Sequence, residues 1–343
     1  MKNFEKITNN EKRERQEFED IEMKVELTNI CNSGRCKFCS PLFRPVVEET
    51  DTESFLSSFA EHVETYMKQG GKKIILTGGG EPTDAPDKLF GALKIIKRAK
   101  EKLGIDLDLL TIYSNGVKLL SPISEKDTQI FLDKLAEYGV KDINLSISGS
   151  SREEITEISG EKMGEIDYDT LIPAIREKGI RVMTRTTLAK GYVDSLDDIL
   201  EFTDKMSRLG VSIIYFSDLF KVPIRDKQTT PGSQKILKWT DDHRVDFLNI
   251  LNSVKQSADF EFISQSGRHN DQGQTFEFRY KKNGARILLG NLVIGNEPDD
   301  EATYCYVKPD GSMDTHNNAR EKTSRKYISI EEAKKYRPER DDI

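Results

Sequence analysis

Three of the four cysteines of the chain lie within nine residues, at Cys31, Cys36 and Cys39 in the segment CNSGRCKFC. Four cysteines in 343 residues do not make a disulfide framework, and so tight a cluster is typical of a metal site in a reducing compartment. A structural zinc site uses four ligands, and no further cysteine or histidine is close in sequence. Three thiolates can instead hold three irons of a [4Fe–4S] cluster and leave the fourth iron open. The spacing therefore predicts a metal centre that also binds another molecule.

A second pattern with chemical meaning is the glycine run in LTGGGEPT, residues 76–83. Consecutive glycines at a strand end let backbone groups approach a ligand without obstruction by side chains. The same run is also ordinary as a tight turn into a helix. Its place one predicted strand after the cysteines favours a ligand site.

The composition excludes several classes of protein. Apolar residues make up 36% and charged residues 32% of the chain, as expected of a globular protein with a charged surface. The net charge of −7 argues against a general grip on nucleic-acid phosphates. No apolar run is long enough to span a membrane, and residues 1–20 are too polar for a secretion signal. We therefore expect a cytoplasmic protein with no membrane or nucleic-acid partner.

Short β-rich segments alternate with longer segments of helical spacing from residue 22 to residue 218. This alternation predicts βαβ units and a parallel sheet, and six units suit an open or partial barrel as well as a doubly wound sheet. Gly139 and Gly210 follow two predicted helices as caps. The predicted strands are 23–29, 72–78, 107–116, 142–149, 180–188 and 211–218, and four predicted helices are 52–69, 88–104, 125–139 and 195–210.

The pattern differs on either side of this core. Residues 1–21 form a charged lead-in, and residues 219–343 form a partly antiparallel α+β extension with a helix predicted over 235–258. Asn283–Gly284 and Asp310–Gly311 are predicted hairpin turns, because these residue types tolerate the positive φ of such turns. We expect the extension to cover the open end of a barrel.

Taken in order, the motifs make the chain similar to the radical S-adenosylmethionine (SAM) superfamily. The resemblance rests on a three-cysteine loop after the first strand, Phe38 directly before its last cysteine, and the Gly-Gly-Glu-Pro run 79–82 after the second strand. The polar stretch LSISGSSREEITEISG also looks like the fourth-strand region of the molybdenum-cofactor cyclase branch. The resemblance covers about residues 22–218. The family usually has one residue fewer between its first two cysteines, and Gly34 can absorb the extra residue as a bulge.

The resemblance implies a partial (β/α)6 barrel in which the three cysteines hold a [4Fe–4S] cluster and the open iron binds SAM. A donor such as flavodoxin or ferredoxin reduces the cluster in such enzymes. The reduced cluster cleaves SAM to a 5′-deoxyadenosyl radical, which abstracts a hydrogen atom from the substrate. The resemblance assigns further residues to SAM: Phe38 against the adenine, the backbone of Gly79, Gly80 and Glu81 at the methionyl amino group, and Ser114 and Asn115 as polar contacts.

Three more residues are candidates by their position in predicted strands. Ser146 and Ser148 lie two apart in strand four, hence on one face, and can hydrogen-bond the ribose of SAM. Arg185, in the middle of strand five, is costly to bury unless it is paired. It can clamp the SAM carboxylate or an acidic group of the substrate, or it can pair with an internal carboxylate.

Cys305, in TYCYVKPDGSMD, is the remaining thiol. Three interpretations stay open: a buried unreactive thiol, a hydrogen-atom donor that quenches the product radical, and a fourth metal ligand. With no further cysteines, the extension has no auxiliary cluster of the usual kind.

The leading functional hypothesis is a radical SAM enzyme acting on a small polar substrate, such as a sugar, nucleoside or nucleotide derivative. Its reaction type, whether oxidoreductase, epimerase, lyase or cyclase, is left open. The enzymatic alternative is the modification of a ribosomal peptide. The non-enzymatic alternative is a binding protein in which Cys305 or a histidine completes a zinc site with the three cysteines.

Overall fold

The structure is a computed structural model that describes residues 21–33, 36–39, 47–127, 129–219, 231–266, 274–291 and 304–315. The predicted lead-in, apart from Ile21, and the predicted bulge at Gly34 lie outside the described residues. No helix in the described part of the chain is long and apolar enough to cross a membrane.

Eleven strands in the described segments form a single sheet. They are β1 (Glu22–Glu26), β2 (Lys73–Thr77), β3 (Leu109–Ser114), β4 (Asp142–Ser146), β5 (Arg181–Thr187), β6 (Ile213–Ser217), β7 (Phe260–Ser266), β8 (Thr275–Tyr280), β9 (Arg286–Gly290), β10 (Tyr304–Val307) and β11 (Met313–Thr315). Their order in the sheet is β11-β10-β1-β2-β3-β4-β5-β6-β9-β8-β7.

The helices lie mainly between these strands. They are α1 (Thr52–Lys68), α2 (Pro86–Leu103), α3 (Phe131–Glu137), α4 (Arg152–Ser159), α5 (Glu161–Gly164), α6 (Tyr168–Glu177), α7 (Leu196–Arg208), α8 (Pro231–Asp242) and α9 (Phe247–Gln256). A short 3₁₀ helix, Pro82–Asp84, follows β2.

The predicted α/β core is confirmed. Strands β1 to β6 pair in chain order and are all parallel, with helical segments in the connections. Right-handed connections between parallel neighbours place their helices on one face of the sheet, as in a partial barrel. The row Leu145–Thr184–Ile214 is fully buried on this helix face. The adjacent row Ser146–Arg185–Tyr215 points the other way, to what we term the inner face.

Two predicted helices have different boundaries in the structure. The helix predicted over 235–258 is divided into α8 and α9, because the Asp246 side chain accepts the Asn249 amide at 3.1 Å and begins a new helix. The helix predicted over 125–139 begins only at Phe131. Side-chain bonds of Ser124 and Asp127 to nearby backbone amides hold the preceding residues in a turn.

The described strands of the C-terminal segment widen the same sheet at both of its edges. Strand β9 pairs parallel to β6, and β10 pairs parallel to β1. Strands β8, β7 and β11 then add antiparallel. Gly284 (φ 79°) and Gly311 (φ 80°) occupy the two predicted turns, which are confirmed. The sheet thus extends beyond the six strands that the sequence predicts.

Candidate active site

The cysteine loop begins where β1 ends, and it lies directly against the glycine run after β2. The Gly80 amide donates to the Thr28 carbonyl at 2.9 Å, and the Glu81 amide donates to the Ile30 carbonyl at 2.7 Å. A Cβ atom on Gly80 would lie 1.8 Å from the Ile30 carbonyl oxygen. Glycine is therefore required here by the close approach of two backbone segments of the protein itself.

The thiols of the loop are half-buried and share a hydroxyl group. The Ser33 hydroxyl lies 3.2 Å from the Cys31 sulfur and 3.7 Å from the Cys36 sulfur. The Cys39 amide donates to the Cys36 carbonyl at 3.2 Å, which turns the chain back between these two cysteines. Ser33 thus lies within hydrogen-bonding reach of two of the three thiols.

This donor set is suited to an iron–sulfur cluster. The described residues contain no group of three or more His, Cys, Asp or Glu side chains gathered closely enough to hold one metal ion. Three thiolates on a [4Fe–4S] cluster each bind a different iron, so their sulfur atoms do not converge on one point. The half-buried thiols of Cys31, Cys36 and Cys39 supply three ligands of this type.

A buried ion pair fastens the segment that follows the cysteine loop to the end of β1. The Glu49 carboxylate accepts hydrogen bonds from the Thr28 hydroxyl at 2.9 Å and from the Asn29 amide at 2.5 Å. It also pairs with Lys88 of α2 at 3.1 Å, and the two charged side chains are only 12% and 7% exposed. The start and the end of the loop are thus held at one place.

Glu81 joins the ends of β2 and β3. Its carboxylate accepts hydrogen bonds from the Thr83 amide and hydroxyl, from the Ser114 hydroxyl at 2.9 Å and from the Asn115 amide at 2.7 Å. Complete burial raises the pKa of Glu81 above its ordinary value, although hydrogen bonds from Asn115, Thr83 and Ser114 act in the opposite direction. The predicted contacts Glu81, Ser114 and Asn115 are therefore brought together, but their polar atoms largely bind one another.

Asn32, next to Cys31, connects the loop to this network. Its side-chain oxygen accepts from the Asn115 side-chain amide at 2.7 Å, and its backbone amide donates to the Asp84 carboxylate at 2.5 Å. Asp84 also pairs with Lys118 at 2.6 Å. Two strand ends thereby hold one residue of the loop.

Phe38 lies in a half-buried turn between Cys36 and Cys39. The turn is attached to α4, because the Lys37 amide donates to the Ile158 carbonyl at 2.9 Å. The Lys37 ammonium also lies 3.4 Å from the Glu157 carboxylate, which accepts a hydrogen bond from Tyr192. The position of this aromatic residue is thus set by the neighbouring helix.

The two predicted ribose contacts have different environments. Ser146 ends β4 with its side chain exposed on the inner face. Ser148 is buried, and its hydroxyl lies 2.8 Å from that of Ser159 at the end of α4. The strand ends before Ser148, so the alternation that puts both serines on one face does not continue to it.

Arg185 lies on the inner face between two aromatic rings. Its guanidinium carbon is 4.4 Å from the Tyr215 ring centroid and 5.8 Å from that of Tyr113. Its Nε atom is buried and has no hydrogen-bond partner within the described segments. No described carboxylate forms an ion pair with Arg185, so the interpretation as an internal ion pair gains no support.

Cys305 lies away from the other thiols. It pairs in register with Met23 at the start of β1, whereas the cysteine loop follows the end of that strand. Its side chain is 2% exposed and packs in the hydrophobic core on the helix face. Burial raises the pKa of this thiol to about 11. This position favours the interpretation as a buried unreactive thiol over the predicted roles as hydrogen-atom donor and as fourth metal ligand.

The sequence interpretation missed several residues of the site. Asn32 and Ser33 lie inside the cysteine loop, and that position alone would have identified them as candidates. Asp84, Glu49 and Lys88 have no comparable signal, because each meets the loop only through the folded chain.

Comparison with known proteins decides the family. The family model of the radical SAM superfamily matches residues 25–206, which is more than half of the chain. The chain belongs to the radical SAM superfamily. Enzymes of this superfamily use a [4Fe–4S] cluster and SAM, so the predicted enzyme and its two cofactors are confirmed. The hypothesis of a zinc-stabilised binding protein is wrong.

Several known proteins are similar to the chain. The GTP 3′,8-cyclase of Aquifex aeolicus is 28% identical over 262 residues, which cover 74% of this chain and 69% of the cyclase. The PqqA peptide cyclase of Ruegeria pomeroyi is 27% identical over 57% of this chain, but the match spans only 48% of that enzyme. The structure of Streptococcus suis SuiB bound to precursor peptide SuiA superposes with a TM-score of 0.49 at 13% identity, covering 90% of this chain and 62% of SuiB.

Proposed function

We propose that this radical SAM enzyme holds its cluster on Cys31, Cys36 and Cys39 and acts on a small polar substrate bound at the inner face. The observation that supports this most directly is the sharing of the Ser33 hydroxyl by two thiols, beside the Gly80 contact. When bound, the cluster and SAM together supply a 5′-deoxyadenosyl radical that removes a hydrogen atom from the substrate.

The glycine run supplies carbonyl oxygens for the methionyl amino group of SAM. The Gly80 and Glu81 amides already donate to the loop, so the carbonyl oxygens of Gly79 and Gly80 are the groups suited to an ammonium donor. Ser114 and Asn115 act through Glu81 as positioning residues. Phe38 packs on the adenine, as the resemblance implies.

On the inner face, Ser146 is better suited than Ser148 to the ribose, because the Ser148 hydroxyl is already bonded. Arg185 binds the carboxylate of SAM or an acidic group of the substrate. Its guanidinium lies close to the rings of Tyr113 and Tyr215, and its Nε donor is unpartnered in the described part of the chain.

The substrate is proposed to be a sugar, nucleoside or nucleotide derivative. The inner-face row of Ser146, Arg185 and Tyr215 offers a hydroxyl, a cation and a phenol to such a polar molecule. A relative that acts on GTP matches three quarters of the chain, which agrees with a nucleotide-like substrate. A flavodoxin or ferredoxin supplies the electron.

Anaerobic reconstitution with iron and sulfide tests the proposal. We expect a brown protein with about four irons that cleaves SAM under dithionite, with faster 5′-deoxyadenosine formation when the correct substrate is added. GTP, other nucleotides, nucleosides and sugar phosphates form the first substrate panel. A colourless protein with one tightly bound zinc, or a loaded protein that never cleaves SAM, would contradict it.

A ribosomal peptide is the second candidate substrate. A peptide cyclase is among the similar enzymes, and β7 at the sheet edge leaves Phe262 and Ile263 exposed, where an extended peptide can add as a strand. Incubation with precursor peptides, followed by mass spectrometry, separates the two candidates. A mass change in a peptide with none in the metabolite panel favours the second.

A further inference from the structure

The orientation of the Asn32 side chain follows from its neighbours. The side-chain oxygen of Asn115 accepts the Val117 amide at 3.1 Å, so the NH2 group of Asn115 faces Asn32. That group donates to the Asn32 side-chain oxygen at 2.7 Å. The NH2 group of Asn32 therefore points away from Asn115.

This NH2 group is buried and has no hydrogen-bond partner among the described residues. An unsatisfied buried donor is unfavourable, and folded proteins rarely keep one without a bound partner. Asn32 is adjacent to Cys31, and the next residue, Ser33, has a hydroxyl that already lies close to two thiols. The Asn32 NH2 group and the Ser33 hydroxyl are thus two side-chain donors in the same cysteine loop.

We propose that Asn32 and Ser33 donate hydrogen bonds to the sulfur atoms of the cluster and thereby raise its reduction potential. This inference rests on the proposed function, in which Cys31 and Cys36 are cluster ligands. Reduction adds negative charge to the iron–sulfur unit, and N–H and O–H dipoles directed at sulfur stabilise the reduced state more than the oxidised state.

The surrounding network fixes the geometry of the Asn32 donor. Asp84 holds the Asn32 backbone amide at 2.5 Å, and its other oxygen pairs with Lys118 at 2.6 Å. Asn115 occupies the carbonyl side of the carboxamide, so the side chain cannot turn its oxygen to the sulfur. These residues are positioning residues that act through Asn32.

Potentiometric titration of the reconstituted protein, followed by electron paramagnetic resonance, tests the proposal. The variants are Asn32→Leu, Ser33→Ala and, as a matched control on the other side of Cys31, Ile30→Val, whose side chain is exposed. At the potential that half-reduces the wild-type cluster, we expect the ratio of reduced to oxidised cluster to fall about tenfold in Asn32→Leu. That change corresponds to about 59 mV for one electron. The same ratio should fall about threefold in Ser33→Ala and should stay at the wild-type value in Ile30→Val.

Iron and sulfide content is measured first, and it is expected to stay at the wild-type value. If Asn32→Leu fails to load four irons, the proposal is tested by Ser33→Ala, which removes only one oxygen atom. In that variant the ratio of reduced to oxidised cluster should fall about threefold. Wild-type potentials in the loaded variants would overturn the proposal, as would a loss of SAM affinity without a change in potential. Failure of the proposed function itself is distinct, because wild-type protein would then hold no cluster.

Discussion

The two ends of β1 place cysteines in opposite environments. At the carboxyl end, Cys31 and its two neighbours are half-buried among hydroxyl, amide and carboxylate groups. At the amino end, Cys305 is packed against Met23, and burial raises its pKa to about 11. A thiol is useful as a ligand only where it ionises readily and can be reached, so the position along the sheet determines its chemistry.

The sharpest test of this comparison is alanine replacement at both ends. Cys31→Ala, Cys36→Ala and Cys39→Ala each remove one of three ligands, so cluster absorbance and SAM cleavage should fall below detection. Cys305→Ala should retain both. Iron analysis and 5′-deoxyadenosine quantification check these outcomes, and a loop variant with normal cleavage would contradict the ligand assignment.

Gly80→Ala should reduce iron loading at the carboxyl end of β1 almost as severely as loss of a cysteine. The new Cβ atom meets the Ile30 backbone at 1.8 Å, so the cysteine loop must shift and iron content should fall well below four per chain. Gly104→Ala is the matched control, because Gly104 has a positive φ of 64° but its Cβ would meet nothing within 4 Å. Equal iron content in the two variants would show that the contact between the two segments is not needed for cluster loading.

The stability effects of Lys88→Met and Cys305→Ala compare the buried Lys88–Glu49 ion pair with the apolar packing around Cys305. Leaving the Glu49 carboxylate without its cation should lower the free energy of unfolding by about 3 kcal/mol. Cys305→Ala should cost about 1 kcal/mol, because it removes a single buried heavy atom. Urea denaturation of the apo-protein measures both. If Lys88→Met lowers the free energy of unfolding no more than Cys305→Ala does, the Lys88–Glu49 ion pair does not stabilise the fold as proposed.

The smallest expected effect concerns alkaline pH. The pKa of the Cys305 thiol rises from 9.0 to about 11 on folding because of burial. The folded chain therefore holds this proton more tightly, and the stabilisation is complete below pH 9 and is lost between about pH 9 and 11. The free energy of unfolding should decline less steeply over this range in Cys305→Ala, and identical slopes would show that the thiol is not desolvated.

Local patterns were sufficient for the parallel core. Segments such as KIILT (73–77) are short, apolar and followed by amphipathic helices, and each strand pairs with its neighbour in sequence. They were insufficient for Cys305, because its face and its end of the sheet depend on pairing with β1 across more than 280 residues, from Met23 to Cys305. Pairing at such sequence separation leaves no local signature.

The site divides in the same way. The spacing of the cysteines and the glycine run identified the segments involved. The sequence did not show that the Glu81 carboxylate would accept hydrogen bonds from Thr83, Ser114 and Asn115. Nor did it show that Ser148 would face Ser159. Such pairings depend on side chains that meet only after helices and strands have packed.

The pairing of β1 with β10 also bears on how the chain folds during synthesis. The first strand leaves the ribosome early, but its outer edge stays open until residues near 307 have emerged. An open parallel edge is a template for pairing with other chains, and contacts of high sequence separation form slowly. Nascent chains of this enzyme should therefore pass through a long interval in which they are prone to aggregation and depend on chaperones. Slower translation of the last strands would prolong that interval.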